Sequence, residues 1–196
     1  MAYGPDFPNA DAGLEEQHSA VSWDAILAGA AAIIALTFVL LSLGAGFGLQ
    51  FSPRWPSGLA ARDFTPTVGA IFIAAQVVAS MLGGYLAGRL RTRWLNVHSH
   101  EVHFRDTAHG LLAWAASVVG LLALGAMLTP TTTALPPEAL SSQEALRAAR
   151  LAAQLSFFLG VGALTSAFSA SVAATIGGLR RDEMHQKHRA DRQASA

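Results

Sequence analysis

The chain contains no cysteine and few charged residues. Without cysteine it forms no disulfide and no thiolate metal site, and it has no cysteine nucleophile. Charged residues make up 13% of its 196 residues, whereas a soluble domain usually carries about 25%. The formal net charge at neutral pH is zero, so electrostatics gives no support to a nucleic-acid partner. The composition therefore indicates a membrane protein that does not bind nucleic acid.

Four long stretches contain no Asp, Glu, Lys or Arg: 25–53, 64–88, 107–135 and 151–179. Each exceeds the roughly 20 residues that a helix needs to cross a hydrocarbon core about 30 Å thick. Because backbone amides find no water in that core, each span has to be helical. All eight prolines lie outside the spans or at their edges, which predicts continuous helices. The sequence predicts an all-α membrane protein with four transmembrane helices, paired as two helical hairpins, over residues 24–50, 66–90, 106–129 and 142–180.

Charged residues outside the spans predict the orientation. The loop between the second and third spans and the C-terminal tail are richer in Lys and Arg than the other two loops. Since such segments stay in the cytoplasm, we predict that both termini are cytoplasmic, with a polar acidic tail over 1–22 and a charged tail over 181–196. The acidic start does not have the features of a secretory signal. We therefore expect a multi-pass protein of the bacterial inner (plasma) membrane, in contact with the lipid bilayer.

An acidic residue opens the first and third predicted helices, and arginines follow the second and fourth. Carboxylates stabilise helix N-termini and cations stabilise C-termini. We predict that Asp24 and Asp106 cap their helices and lie close to Arg89 or Arg180 at one membrane surface. The shared pattern also fits a parallel repeat of two hairpins, although common helix-end chemistry would produce it without duplication.

Small residues recur at every fourth position in the second and fourth spans. Such residues let helix backbones approach closely, which matters in lipid because no hydrophobic force pulls helices together there. We interpret these small-residue stripes as packing surfaces, either within one chain or between copies. The stripes contain Gly84 and Gly88 in the second span, and Gly162, Ser166, Ala170, Ala174 and Gly178 in the fourth.

Three histidines, His98, His100 and His103, lie in the predicted cytoplasmic loop. Imidazoles bind first-row metals, and a short His-rich tract can hold one. Their spacing matches no strong metal template, so a solvated loop is the simpler interpretation. A pH sensor is a third interpretation, because histidine titrates near physiological pH.

Three short segments, at 21–29, 83–89 and 109–114, read VSWDAILAG, GGYLAGR and HGLLAW. Together they resemble a group of small alphaproteobacterial inner-membrane proteins, sometimes labelled PhnA-like, whose activity is not established. The resemblance covers the first three spans and implies the same membrane topology. It carries over no metal, phosphate or catalytic residue.

The spans contain no Asp, Glu, Lys or Arg at depth, and such groups mark proton relays, ion paths and voltage sensors. Asp106 and His109 are accompanied by no nucleophile turn or oxyanion motif. The sequence therefore predicts a non-enzymatic structural or accessory membrane protein without a cofactor. It would pack as a small homo-oligomer or as a subunit of a larger membrane complex. The alternative is an oligomeric small-solute transporter or channel.

Overall fold

A computed structural model of the chain describes residues 21–46, 65–91, 99–128 and 141–195. These residues form the helices α1 (Trp23–Gly46), α2 (Pro66–Leu90), α3 (Ser99–Leu128) and α4 (Ser142–Ala194), and they include no strand. All four helices are long and apolar enough to cross a membrane. The predicted all-α fold with four membrane-spanning helices is confirmed, and the chain is an integral membrane protein. Its orientation and the proposed repeat stay predictions.

The two small-residue stripes meet where α2 contacts α4. Gly84 lies against the carbonyl of Ala170, and Gly88 lies against the carbonyl of Ala174. Because both positions advance together along the two helices, α2 and α4 run parallel. A Cβ atom at either glycine would collide with the facing carbonyl oxygen. Only glycine therefore permits this approach of one backbone to the other.

Glycine also lines the seams of α1 with its two neighbours. Gly29 lies against Ala87 of α2, and Ile33 lies against Gly83, so α1 and α2 run antiparallel. On its other side, a Cβ atom added to Gly29 would lie 3.1 Å from the Cβ of Ala113 in α3. The three backbones therefore converge on one small residue of α1.

The second hairpin closes in a similar way. Gly110 of α3 lies against the carbonyl of Ala170, and Asp106 lies against Gly178, so α3 and α4 run antiparallel. With the seams already described, the helices form a ring in the order α1, α2, α4, α3. Each seam of this ring contains at least one glycine.

Large apolar side chains cover the outside of the ring. Phe38 is 70% exposed, Leu122 69%, Leu164 75% and Phe168 72%, whereas most of the buried residues of the bundle are alanine, glycine or serine. A soluble bundle buries its large apolar residues instead. Small residues inside and large ones outside are typical of helices that pack in lipid.

Two helices extend further than the charge pattern predicts. α3 begins at Ser99, about two turns before residue 106, and α4 continues past residue 180 to Ala194. A charged segment need not end a helix when ion pairs between neighbouring turns support it. Nε of Arg105 donates to Glu101 at 2.7 Å in the first turns of α3. The predicted tail over 181–196 is therefore mainly an extension of α4, and residues 47–50 and 129, predicted as helical, lie outside the described residues.

α4 is much longer than a bilayer core is thick. Its 53 residues span about 80 Å at 1.5 Å per residue. Ser141 and Glu144 form a complete capping box at its start, which fixes the N-terminus. Gly69 near the start of α2 packs against Phe158, so the first dozen or so residues of α4 project roughly 20 Å beyond α2. The residues after Asp182 project by a similar distance at the other end.

Candidate functional site

A buried ion pair joins α2 to α3 at one end of the bundle. Nε of Arg91 donates a hydrogen bond to Oδ1 of Asp106. The two side chains are 0% and 1% exposed. An ion buried without a partner costs several kcal/mol, so each of these charges depends on the other.

Local backbone features place both partners. Arg91 is the C-cap of α2 and has extended backbone angles, φ −62° and ψ 154°. Asp106 is at the end of the second turn of α3, and its carboxylate packs directly on Gly178 of α4. A side chain at position 178 would occupy the space of the carboxylate. Gly178 therefore creates the room in which the ion pair forms.

A second arginine, Arg181 of α4, caps the C-terminus of α2. Its Nη1 donates to the carbonyl of Arg91 at 2.9 Å and to that of Gly88 at 3.5 Å. Its Nε and Nη2 donate to Oδ1 of Asp182 at 3.1 Å and 3.0 Å. The last carbonyls of a helix lack intrahelical donors and carry partial negative charge. Arg181 satisfies them, and the cluster of two arginines and two carboxylates has no net formal charge.

His109 ties the start of α1 to α3 beside this cluster. Its ring accepts a hydrogen bond at Nε2 from the backbone N–H of Ser22, at 2.9 Å. Nδ1 lies 2.7 Å from the carbonyl of Arg105. The residue is 2% exposed. His109 therefore links two helices whose bonded residues are 87 positions apart in the sequence.

Farther along the bundle, Trp114 fixes α3 to α4. Its Nε1 donates to Oγ of Ser166 at 3.0 Å, and that hydroxyl donates to the carbonyl of Ala163 at 3.1 Å. Ser166 thus contributes a hydrogen bond as well as a small side chain to its stripe. Gly162 of the same stripe makes a looser contact, since an added Cβ would lie 3.5 Å from Ile73 of α2.

The predicted role of Asp106 is wrong. Because α3 starts at Ser99, Asp106 is inside the helix and cannot cap its N-terminus. Its partner is Arg91 and not Arg89 or Arg180. Positions 84, 88 and 91 follow one face of α2, because steps of three and four residues nearly match the helical period. Arg89 is off that face.

The other three residues of the predicted ion pairs lie apart. Asp24 is exposed in the first turn of α1, and no ion pair joins it to Arg89 or Arg180. Arg89 donates to the hydroxyl of Tyr85 at 2.8 Å, with its guanidinium 5.8 Å from the ring centre. Arg180 is 66% exposed and lies 3.6 Å from Glu183. The predicted cluster of these residues at one surface is therefore replaced by local contacts on each helix.

The histidine tract is only partly visible. His98 lies outside the described residues, while His100 and His103 lie in the first turns of α3. In the part of the chain that the structure describes, no three His, Asp or Glu side chains are arranged to hold a metal ion. Metal binding by this tract stays a prediction.

Neither a family model, nor a curated protein, nor a solved structure matches the chain. The resemblance to the PhnA-like group is therefore untested by comparison. Function has to be inferred from the geometry of the bundle, the charge cluster and α4.

Proposed function

We propose that the protein is a non-enzymatic structural or accessory subunit of a membrane assembly, formed with further copies of itself or with other membrane proteins. The observation that carries this proposal is the length of α4. A helix that projects roughly 20 Å beyond the bundle at each end presents surfaces that its own chain does not cover.

Both projections of α4 are exposed. Residues 142–150 are all exposed at the first end, as are 183–188 and 190–195 at the other. Leu146 is 61% exposed on the first projection and Met184 is 47% exposed on the second. An isolated helix of this length is only marginally stable in water. Contacts with a partner would stabilise each projection.

The interior of the bundle supports a structural role over a conduit. Gly84 and Gly88 bring the backbones of α2 and α4 into direct contact, and Gly29 does the same for α1 and α2. Such contacts leave no room for a water-filled path along these seams. The alternative, a transporter or channel for small solutes, would need its path between copies of the chain.

The proposed location is the bacterial inner membrane. Four apolar helices establish a multi-pass membrane protein, and a helical bundle is one of the two structures that can span a bilayer. The resemblance of segments 21–29, 83–89 and 109–114 to PhnA-like inner-membrane proteins favours this membrane. Fractionation of inner and outer membranes tests the location directly.

The test of function compares the full chain with a variant truncated after Met184. Native mass spectrometry in lipid nanodiscs should show the full chain in a stoichiometric oligomer or complex. The truncated variant should lose that assembly while its helical circular dichroism per residue and its thermal unfolding stay close to those of the full chain. A matched control, Leu164→Ala on the lipid-facing side of α4, should keep the assembly. A full chain that is monomeric and without a stoichiometric partner in native membranes would contradict the proposal.

A further inference from the structure

The hydrogen bonds of His109 determine its protonation state. A backbone N–H can only donate, so Nε2, which accepts from Ser22 at 2.9 Å, carries no proton. The ring proton therefore resides on Nδ1, which donates to the carbonyl of Arg105 at 2.7 Å. Only a neutral imidazole in this tautomer makes both bonds.

The bond to Ser22 acts on the end of a helix. The carbonyl of Ser22 accepts the first hydrogen bond of α1, from the N–H of Ile26 at 3.1 Å, so Ser22 is the N-cap residue. In a capping box, a side chain of the same helix accepts the N–H of the N-cap residue. Here His109 performs that role from α3. It therefore holds the start of α1 on its neighbour.

A second proton on the ring is incompatible with this arrangement. Nε2–H would point at the N–H of Ser22, and the hydrogen bond would be lost. The imidazolium charge would also lie at the positive end of the α1 dipole. Arg91 and Arg105 add positive charge nearby, and the carboxylate of Asp106, which would favour the imidazolium, is engaged by Arg91.

Water has a route to the ring. His109 borders an open depression of about 180 Å³ between the start of α1 and the first turns of α3, and Val21 and Glu101 also line it. The charged groups around His109 come from every helix of this corner: Glu101, Arg105 and Asp106 on α3, Arg91 at the end of α2, Asp24 on α1, and Arg181 of α4 behind Arg91. Glu101 is itself paired with Arg105.

We propose that His109 is an acid-sensitive latch. In its neutral form it holds the start of α1 on α3, and protonation releases that end of α1. Binding of a proton at Nε2 and docking of Ser22 exclude each other, so acidification shifts the population toward the released state. The proposal does not depend on the function proposed above.

The experiment uses two spin labels in the full chain, on Trp23→Cys in α1 and Leu111→Cys in α3, which are 59% and 45% exposed. The chain has no other cysteine. Electron–electron distance measurements in nanodiscs of neutral lipid should give one short distance at pH 8. At pH 5 a second, longer population should appear. An unchanged distance distribution between these pH values would overturn the proposal.

Two variants separate the latch from other titrating groups. His109→Gln keeps an acceptor oxygen but does not titrate, so it should show the short distance at both pH values. His188→Gln, at an exposed histidine of α4, should respond to acid as the parent does. A response that persists in His109→Gln contradicts the latch.

A measurement without mutation of His109 provides an independent check. Nitrogen NMR of the parent protein should show one histidine with a protonated Nδ1 and a bare Nε2 at pH 8. That ring should become doubly protonated over the same pH range in which the longer distance appears. A ring that stays neutral while the distance changes would also overturn the proposal.

Discussion

Replacement of Asp106 by Asn tests the buried ion pair most directly. Arg91 and Asp106 are 0% and 1% exposed, so the neutral amide would leave the guanidinium buried without a counter-charge. Removal of one partner from a buried pair costs about 3–5 kcal/mol. The N-capping role that the sequence suggests predicts almost no change instead, because Asn caps a helix about as well as Asp. The two interpretations therefore differ by several kcal/mol in the free energy of unfolding.

That free energy can be measured by titration of the protein from mild detergent into SDS, followed by circular dichroism. The double variant Arg91→Met/Asp106→Asn should recover at least half of the loss, because no unpaired charge remains buried. Glu183→Gln is a matched control, since it makes the same carboxylate-to-amide change in a pair whose side chains are 66% and 60% exposed. It should stay within about 0.5 kcal/mol of the parent. An equally small effect of Asp106→Asn would refute the reasoning.

Three further predictions concern packing, capping and orientation. Gly88→Ala should lower the free energy of unfolding by about 1–3 kcal/mol through overpacking against α4, whereas Gly125→Ala, with nothing within 4 Å of the added Cβ, should be neutral or stabilising in the same SDS titration. Arg181→Met should cost about 1.5–3 kcal/mol through loss of its charged hydrogen bonds, while the same change at exposed Arg180 should have little effect. A single cysteine at Lys187 should react with membrane-impermeant reagents only after the cells are opened, and labelling from the periplasm would reverse the predicted orientation.

The spans and their contact surfaces follow from the sequence because both depend on local patterns. A run without charge longer than 20 residues has few alternatives to a membrane helix. Small residues four positions apart, such as Gly84 and Gly88, necessarily share one face of that helix. The structure places this face against Ala170 and Ala174 of the other stripe.

The limits of two helices were less predictable, because charge marks the edge of the hydrocarbon and not the edge of the helix. The charge-free run that contains the third span begins directly after Asp106, which suggested a helix start there. The helix in fact begins at Ser99. That error turned a buried ion-pair residue into an apparent cap.

The long-range contacts of the site leave little trace in the sequence. Arg91 could have been separated from Arg89 by its register with Gly84 and Gly88. The bond from Ser22 to His109 joins residues 87 positions apart, and no local pattern indicates it. Such contacts depend on how hairpins pack, which spacing within one helix does not determine.

The cap that α4 provides for α2 also imposes an order on biosynthesis. Arg91 emerges from the ribosome 15 residues before Asp106 and 90 residues before Arg181. At roughly 5–20 residues per second, the second interval lasts roughly 5–18 s. During that time the first hairpin is in the bilayer without the residue that satisfies its last carbonyls, and water or lipid headgroups have to serve in its place. The first two helices can therefore insert early, but their shared end reaches its final form only when the last helix arrives.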